Sequence, residues 1–216
     1  MNRVDSSAAF PDADSAFVSV ASGSRAAQRA SAGTEAAEVA KRSSANADSG
    51  RHLAAVFFVG NKLMLDEGVA PAAYEELLAR YDVPENVRMF DVGCMSMDML
   101  PYVRDCDFIL TVDAIDGTGK EPGTVFRFLP DAMARASGAR ASLHDLKLAD
   151  LFDAAALLGY KAEGFCVGMQ VENMSPAECV MGLTPAVHAA LPLLVETVAA
   201  ELARRGFPLT RRVEEK

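Results

Sequence analysis

Short apolar runs that alternate with helix-like patterns constrain the fold of this chain more than any other feature. The clearest run, residues 108–112, is apolar and β-branched and leads directly into Asp113. Similar runs cover residues 54–59 and 87–92, and a helical candidate follows each of them. This alternation predicts an α/β three-layer sandwich with a mostly parallel, twisted sheet and helices on both faces.

The hydrophobic pattern of the rest of the chain predicts further strands at residues 124–129 and 165–169. It also predicts helices, some of which have capping residues at their ends. Ser142 is a good N-cap and Gly159 a good C-cap for one of these helices. Pro192 is expected to kink the last helix. The predicted helices start near Gly68, Met95, Ser142 and Pro185. The apolar face of the last helix comprises Val187, Leu191, Leu194, Val195, Val198 and Leu202.

Residues 1–50 differ from the rest of the chain in composition. They are rich in Ala, Ser and Asp and show no sustained hydrophobic periodicity. Such a segment buries too little surface to offset the entropy of ordering. We therefore expect a disordered extension over residues 1–50 and one α/β domain over residues 51–216. The segment has neither the basic start nor the continuous apolar stretch of a signal peptide.

Charge and cysteine content narrow the choice of partners and compartment. The formal net charge of -9 and the pI of about 4.9 argue against binding to nucleic acid. The four cysteines have no C-x-x-C spacing, so we interpret them as reduced thiols in a cytoplasmic protein. The longest uncharged apolar stretches are strand-sized, and no membrane association is expected.

Three carboxylates and one histidine are the candidate functional residues. Glu67, Asp91 and Asp113 each closely follow an apolar run, and His144 opens an amphipathic segment. The carboxyl ends of parallel strands meet at one edge of a sheet, where α/β proteins place their ligand sites. Each residue also has a purely structural explanation, such as a first-turn carboxylate for Glu67 and a surface position for His144. On that view the neighbouring Asp66 is a solvated residue.

Residues 58–68, Phe-Val-Gly-Asn-Lys-Leu-Met-Leu-Asp-Glu-Gly, resemble the first-loop motif of the hydrogenase maturation proteases. Members of that family are endopeptidases that trim the large subunit of nickel-iron hydrogenases. Further segments agree with the family in order and spacing, and the resemblance covers about residues 54–206. These segments are Asp-Val-Gly-Cys at 91–94, Val-Asp-Ala at 112–114 with Pro-Gly-Thr at 122–124, Ser-Leu-His at 142–144 and Gly-Leu-Thr-Pro at 182–185.

The resemblance implies a function and a role for each candidate residue. Glu67, Asp113 and His144 occupy the metal-binding positions of the similar proteases, and their oxygen and imidazole donors suit nickel. The nickel is expected to arrive inside the substrate, the precursor of a hydrogenase large subunit, from which a short C-terminal extension is cut. The chemistry of these residues leaves two mechanisms open: a metal-bound water acts as nucleophile, or the metal orients the scissile bond while Asp91 acts as a base on free water. We favour Asp91 as the catalytic residue.

Three positions near these residues depart from the family pattern. Val92 stands where a glycine is usual, Cys94 where a threonine is usual and Ala70 where a glycine usually falls. These departures leave open a second function, a nickel-dependent assembly factor that binds the precursor without cutting it. A Cys94 nucleophile paired with His144 and a phosphate-binding first loop are further alternatives, although the nearby acids disfavour both a thiolate and a bound anion.

Overall fold

In a computed structural model of the chain, residues 18–20, 52–94, 99–130, 151 and 153–213 are described. The strands are β1 (Val18–Val20), β2 (Ala54–Val59), β3 (Tyr81–Asp82), β4 (Val87–Gly93), β5 (Phe108–Ile115), β6 (Val125–Phe128), β7 (Glu163–Gln170) and β8 (Thr210–Arg211). The helices are α1 (Val69–Arg80), α2 (Leu100–Val103) and α3 (Pro185–Arg204), with a 3-10 turn at Leu65–Gly68. Residues 153–157 are also helical.

The main sheet has six strands in the order β1-β6-β7-β5-β2-β4. Strands β4, β2, β5 and β7 are parallel, whereas β6 is antiparallel to β7 and β1 is antiparallel to β6. Every residue of β2 and β5 is buried, as expected for central strands that are covered on both faces. The predicted α/β sandwich with a mostly parallel sheet is confirmed.

Alternate side chains of β2 enter two separate cores. Val56 and Phe58 pack with residues of α1 and α3 on one face of the sheet. Phe57 and Val59 pack on the other face with Val103 of α2 and with residues of the 151–157 segment. This two-residue alternation gives the three layers that the sequence predicts.

Helix α3 confirms its predicted apolar face, because all six predicted residues are buried. Pro185 occupies the first turn of α3, where a missing N–H costs no hydrogen bond. By length and composition alone α3 is the one described helix that could cross a membrane, but its apolar face packs on the sheet.

Three features differ from the sequence-based expectations or add to them. Residues Val18–Val20, which belong to the predicted disordered extension, form β1 and pair antiparallel with β6. Asp113 lies inside β5 rather than just beyond it, since β5 continues to Ile115 alongside β7. The small antiparallel sheet of β3 and β8 was not predicted. The predicted N-cap Ser142 lies outside the described residues.

Candidate active site

The sheet has a topological switch point between β2 and β5, where a ligand crevice is expected at the carboxyl edge. Strand β2 leads through α1 to β4 on one side, whereas its other neighbour β5 leads on towards β7. Adjacent strands whose connections leave in opposite directions create the crevice in which α/β proteins bind ligands. The turn Leu65–Gly68, which carries Glu67, follows β2 and contacts β5 at this point.

The Gly60-Asn61 pair closes the first loop onto the backbone of Glu67. The N–H of Asn61 donates to the carbonyl oxygen of Glu67 at 3.2 Å, and the N–H of Gly60 donates to the carbonyl oxygen of Gly93 at 2.9 Å. A Cβ atom on Gly60 would lie 2.1 Å from the carbonyl oxygen of Glu67, and Gly60 has a φ of +153°. Only glycine fits there, so Gly60 fixes the position of the Glu67 turn.

Asp66 is a fully buried carboxylate, and its interpretation as a solvated residue is wrong. Its Oδ2 accepts hydrogen bonds from the backbone N–H groups of Glu172 at 3.1 Å and Asn173 at 3.0 Å. The N–H of Thr184 donates to Oδ1 at 2.7 Å, and the Thr184 hydroxyl donates to Oδ2 at 3.0 Å. Asp66 therefore joins the Glu67 turn to the segment after β7 and to the N-terminus of α3, whose dipole favours a negative charge.

Asp91 is held in an ion pair that the sequence analysis missed. Lys62 Nζ lies 2.8 Å from Asp91 Oδ2 and 2.8 Å from Oε1 of Glu75 in α1. The N–H of Gly93 donates to Asp91 Oδ1 at 3.4 Å. Hydrogen bonds to Asp91 and then to Glu75 raise the pKa of Lys62 above its ordinary value. The single lysine within the acidic first loop was the available sequence signal for this pair.

Asp113 lies on β5, the strand next to β2, and is 6% exposed. Its Oδ1 accepts a hydrogen bond from the N–H of Ala114 at 2.7 Å. Asp91 and Val112 both align with Phe58 of β2, so Asp113 is one residue further along the sheet than Asp91. Because side chains alternate along a strand, the side chains of Asp91 and Asp113 leave the sheet on opposite faces.

The predicted nickel ligands are only partly within the described residues. Glu67 and Asp113 are, but His144 lies outside them. Among the described residues no three His, Cys, Asp or Glu side chains cluster closely enough to hold a metal. The two carboxylates present are chemically suited to a borderline-hard cation such as nickel. The pairing of Cys94 with His144 also stays untested, while all four cysteines are free thiols.

An apolar rim, defined here as Leu63, Val180 and Met181, borders the Glu67 turn. The N–H of Leu65 donates to the carbonyl oxygen of Val180 at 2.8 Å, and the N–H of Val180 donates to that of Leu63 at 2.9 Å. The side chains of the rim are 50%, 40% and 73% exposed, in that order. Leu65 has a φ of +52°, an uncommon conformation for this residue type. Two loops remote in sequence thus present apolar surface beside the site.

Known proteins resemble this chain in both sequence and fold. Residues 71–201 match the profile of a family described as hydrogenase maturation protease. The hydrogenase expression/formation protein HupD of Bradyrhizobium diazoefficiens is 32% identical over 158 residues, which cover 73% of this chain and 81% of HupD. The hydrogenase 2 maturation protease of Escherichia coli is 31% identical over 152 residues, 70% of this chain and 91% of that protein. The structure of the hydrogenase maturating endopeptidase HybD from E. coli matches with a TM-score of 0.67 and 29% identity, covering 76% of this chain and 99% of HybD.

Proposed function

The chain belongs to the hydrogenase maturation protease family, and from this premise we propose that it removes a short C-terminal extension from the nickel-loaded precursor of a nickel-iron hydrogenase large subunit. An endopeptidase role in hydrogenase processing follows from the family. The observation that supports the finer proposal is that Glu67, on the turn after β2, and Asp113, on the neighbouring strand β5, lie at the β2–β5 switch point, with Asp91 on β4 on the other side of β2.

Nickel is treated in this proposal as part of the substrate. Glu67, Asp113 and His144 would contact it, because two carboxylates and one imidazole leave coordination positions for ligands from the precursor. A precursor without nickel would lack that contact. The protease would therefore act as a checkpoint on nickel insertion.

Asp91 is the proposed catalytic residue, as in an aspartyl-type endopeptidase. As a general base it would take a proton from a water molecule whose oxygen attacks the scissile carbonyl carbon. The C–N bond then breaks, and the proton passes to the leaving amine. The position of Asp91 on β4, at the same edge as the Glu67 turn, supports this role.

The apolar rim supports a protein substrate. Contiguous apolar side chains at a surface often mark sites where another polypeptide binds. The rim is hydrogen-bonded to the loop that carries Glu67, so a peptide bound there would lie next to the nickel-sensing residues. Four free thiols agree with the proposed location in the reducing cytoplasm.

A non-cleaving assembly factor is the second candidate. It is favoured by the hydrogen bonding of both Asp91 carboxylate oxygens and by the unusual Val92 and Cys94 beside it. Such a protein would keep nickel-dependent binding of the precursor but leave its C-terminal mass unchanged.

The test is a cleavage assay on the nickel-loaded large-subunit precursor, read as the mass of its C-terminus. The parent protein should release a short peptide. Asp91→Asn should bind the precursor but lose turnover by about 10²-fold or more, as expected for loss of a general base. Unchanged turnover of Asp91→Asn would remove its catalytic role, and precursor binding without any mass change by the parent would favour the assembly factor.

The nickel-sensing role of His144 needs its own variant. His144→Ala should bind nickel or cadmium more weakly and process the precursor more slowly. Equal metal binding and equal processing by this variant would contradict the role.

A further inference from the structure

The backbone of Lys62 is fixed within the first loop. Asn61 Oδ1 accepts a hydrogen bond from the N–H of Leu63 at 3.0 Å, which closes a turn around Lys62. A Cβ atom on Gly68 would lie 3.2 Å from the Cα of Lys62, so the turn that follows Glu67 packs against this residue. The loop that carries Glu67 therefore also determines where the Lys62 side chain starts.

The ammonium group of Lys62 connects three separate elements. It lies 2.8 Å from Asp91 Oδ2 on β4 and 2.8 Å from Glu75 Oε1 on α1, while Lys62 itself belongs to the loop after β2. An ammonium has three donors, and Asp91 and Glu75 accept from two of them. Within the described residues, a fixed cation thus stands beside the proposed catalytic carboxylate.

The carboxylate of Asp91 is held from two directions. Lys62 binds Oδ2, and the N–H of Gly93 donates to Oδ1 at 3.4 Å. A general base must lie within hydrogen-bonding reach of the water that it deprotonates, and small displacements of a reacting group are costly to turnover. Without Lys62, one of these two restraints on the Asp91 carboxylate is lost.

The two ion pairs of Lys62 contribute little to the stability of the fold. The side chains of Lys62, Asp91 and Glu75 are 43%, 25% and 67% exposed, and ion pairs that are open to solvent typically contribute less than about 1 kcal/mol. A large loss of turnover after substitution of Lys62 could therefore not be attributed to unfolding. This separation between stability and turnover makes a positioning role measurable.

We propose that Lys62 is a positioning residue that holds the Asp91 carboxylate in place for hydrolysis of the peptide bond, with Glu75 anchoring the lysine. This inference rests on the proposed function of Asp91. It adds a residue that the resemblance did not assign and that links the nickel-sensing loop to the cleaving carboxylate.

The experiment compares cleavage of the nickel-loaded precursor by the parent protein, Lys62→Met, Lys62→Arg and Glu75→Gln. Lys62→Met should lower kcat about tenfold with KM for the precursor within about twofold, because binding is kept while the base is misplaced. Lys62→Arg should recover most of kcat, since the guanidinium keeps both the charge and donors. Glu75→Gln should lower kcat about twofold, because the lysine keeps its bond to Asp91.

Lys161→Met is the matched control, since Lys161 is an exposed lysine just before β7 at the opposite edge of the sheet, and its kcat should equal that of the parent. Parental kcat in Lys62→Met, or a loss that appears only in KM, would overturn the positioning role while leaving the proposed protease intact. Failure of the parent protein to cleave would overturn the proposed function, and the inference with it.

Discussion

The two ends of helix α3 are each held by a fully buried carboxylate, but the partners of those carboxylates differ in kind. At the N-terminus, Asp66 accepts hydrogen bonds from backbone N–H groups and from the Thr184 hydroxyl. In the last turn, Glu201 is bound by arginines, with 3.0 Å from Arg127 Nε, 3.1 Å from Arg204 Nη1 and 3.1 Å from Arg205 Nε.

The difference follows from the segments that each end of α3 contacts. Arg127 and Arg205 also lie over the ring of Phe165, with the guanidinium of Arg205 5.0 Å from the ring centre. Arg205 in addition pairs with Glu163. This network fastens α3 to β6 and β7 by charge and packing. Asp66 accepts hydrogen bonds from neutral groups of residues 172–173 and of Thr184, and these bonds form only when both segments are correctly placed against the Glu67 turn. Asp66 therefore sets the loop geometry beside the proposed site.

Removal of the charge at Glu201 should have the largest effect on stability. Glu201→Gln leaves Arg127, Arg204 and Arg205 without their shared buried anion, and the free energy of unfolding should fall by about 4 kcal/mol. Urea unfolding of this variant beside Glu196→Gln, an exposed position on the same helix, measures the effect. At temperatures where Glu201→Gln is folded, its kcat for the precursor should equal that of the parent. An equal loss of stability in Glu201→Gln and Glu196→Gln would contradict the stabilising role of the buried Glu201 network.

Asp66→Asn should destabilise the fold less but impair cleavage more. The amide group would face backbone N–H donors, so buried donors lose their acceptor at a cost of about 3 kcal/mol. The Glu67 turn should also shift, and turnover of the folded variant should fall. The measurement pairs unfolding with cleavage below the melting temperature, using the exposed Asp105→Asn as control. Parental kcat in folded Asp66→Asn would show that Asp66 stabilises the fold without positioning the site.

Thr184→Val sharpens the comparison by removing a single donor to Asp66. The valine keeps the shape of the side chain and the backbone N–H bond at 2.7 Å but loses the hydroxyl bond at 3.0 Å. A hydrogen bond to a charged group contributes about 1.5 kcal/mol, so the free energy of unfolding measured in urea should fall by that amount. A larger change than that of Asp66→Asn would mean that the hydroxyl has another role.

Deletion of residues 1–50 should have the smallest effect. It removes β1, in which Val18 aligns with Arg127 of the Glu201 end, and leaves the Asp66 end untouched. Three paired residues are expected to contribute less than about 1 kcal/mol after the entropy of ordering them. Calorimetry and the cleavage assay on the truncated protein check this, and a collapsed transition would show that the extension is part of the folded domain.

Local sequence patterns were sufficient to predict most strands and helices. They did not predict the contacts between segments that are distant in the sequence. Strand β2 matches its predicted range, and the apolar face of α3 is buried as predicted, because hydrophobic periodicity is written within each segment. Asp66 and Lys62 were missed because their partners lie elsewhere in the chain: Thr184 is 118 residues from Asp66. Glu67, Asp91 and Asp113 were chosen as candidates because strand ends converge at one edge of a sheet, and their chemical roles stay predictions.

We propose that this protein cuts its substrate only after nickel has been inserted, and one assay tests this proposal most directly. The protein is incubated with the hydrogenase large-subunit precursor of its host, with and without nickel, and the C-terminal mass of the precursor is measured. The account predicts loss of a short C-terminal peptide from the nickel-loaded precursor alone. Equal cleavage of both precursors would contradict the checkpoint, and no cleavage of either would contradict the proposed protease.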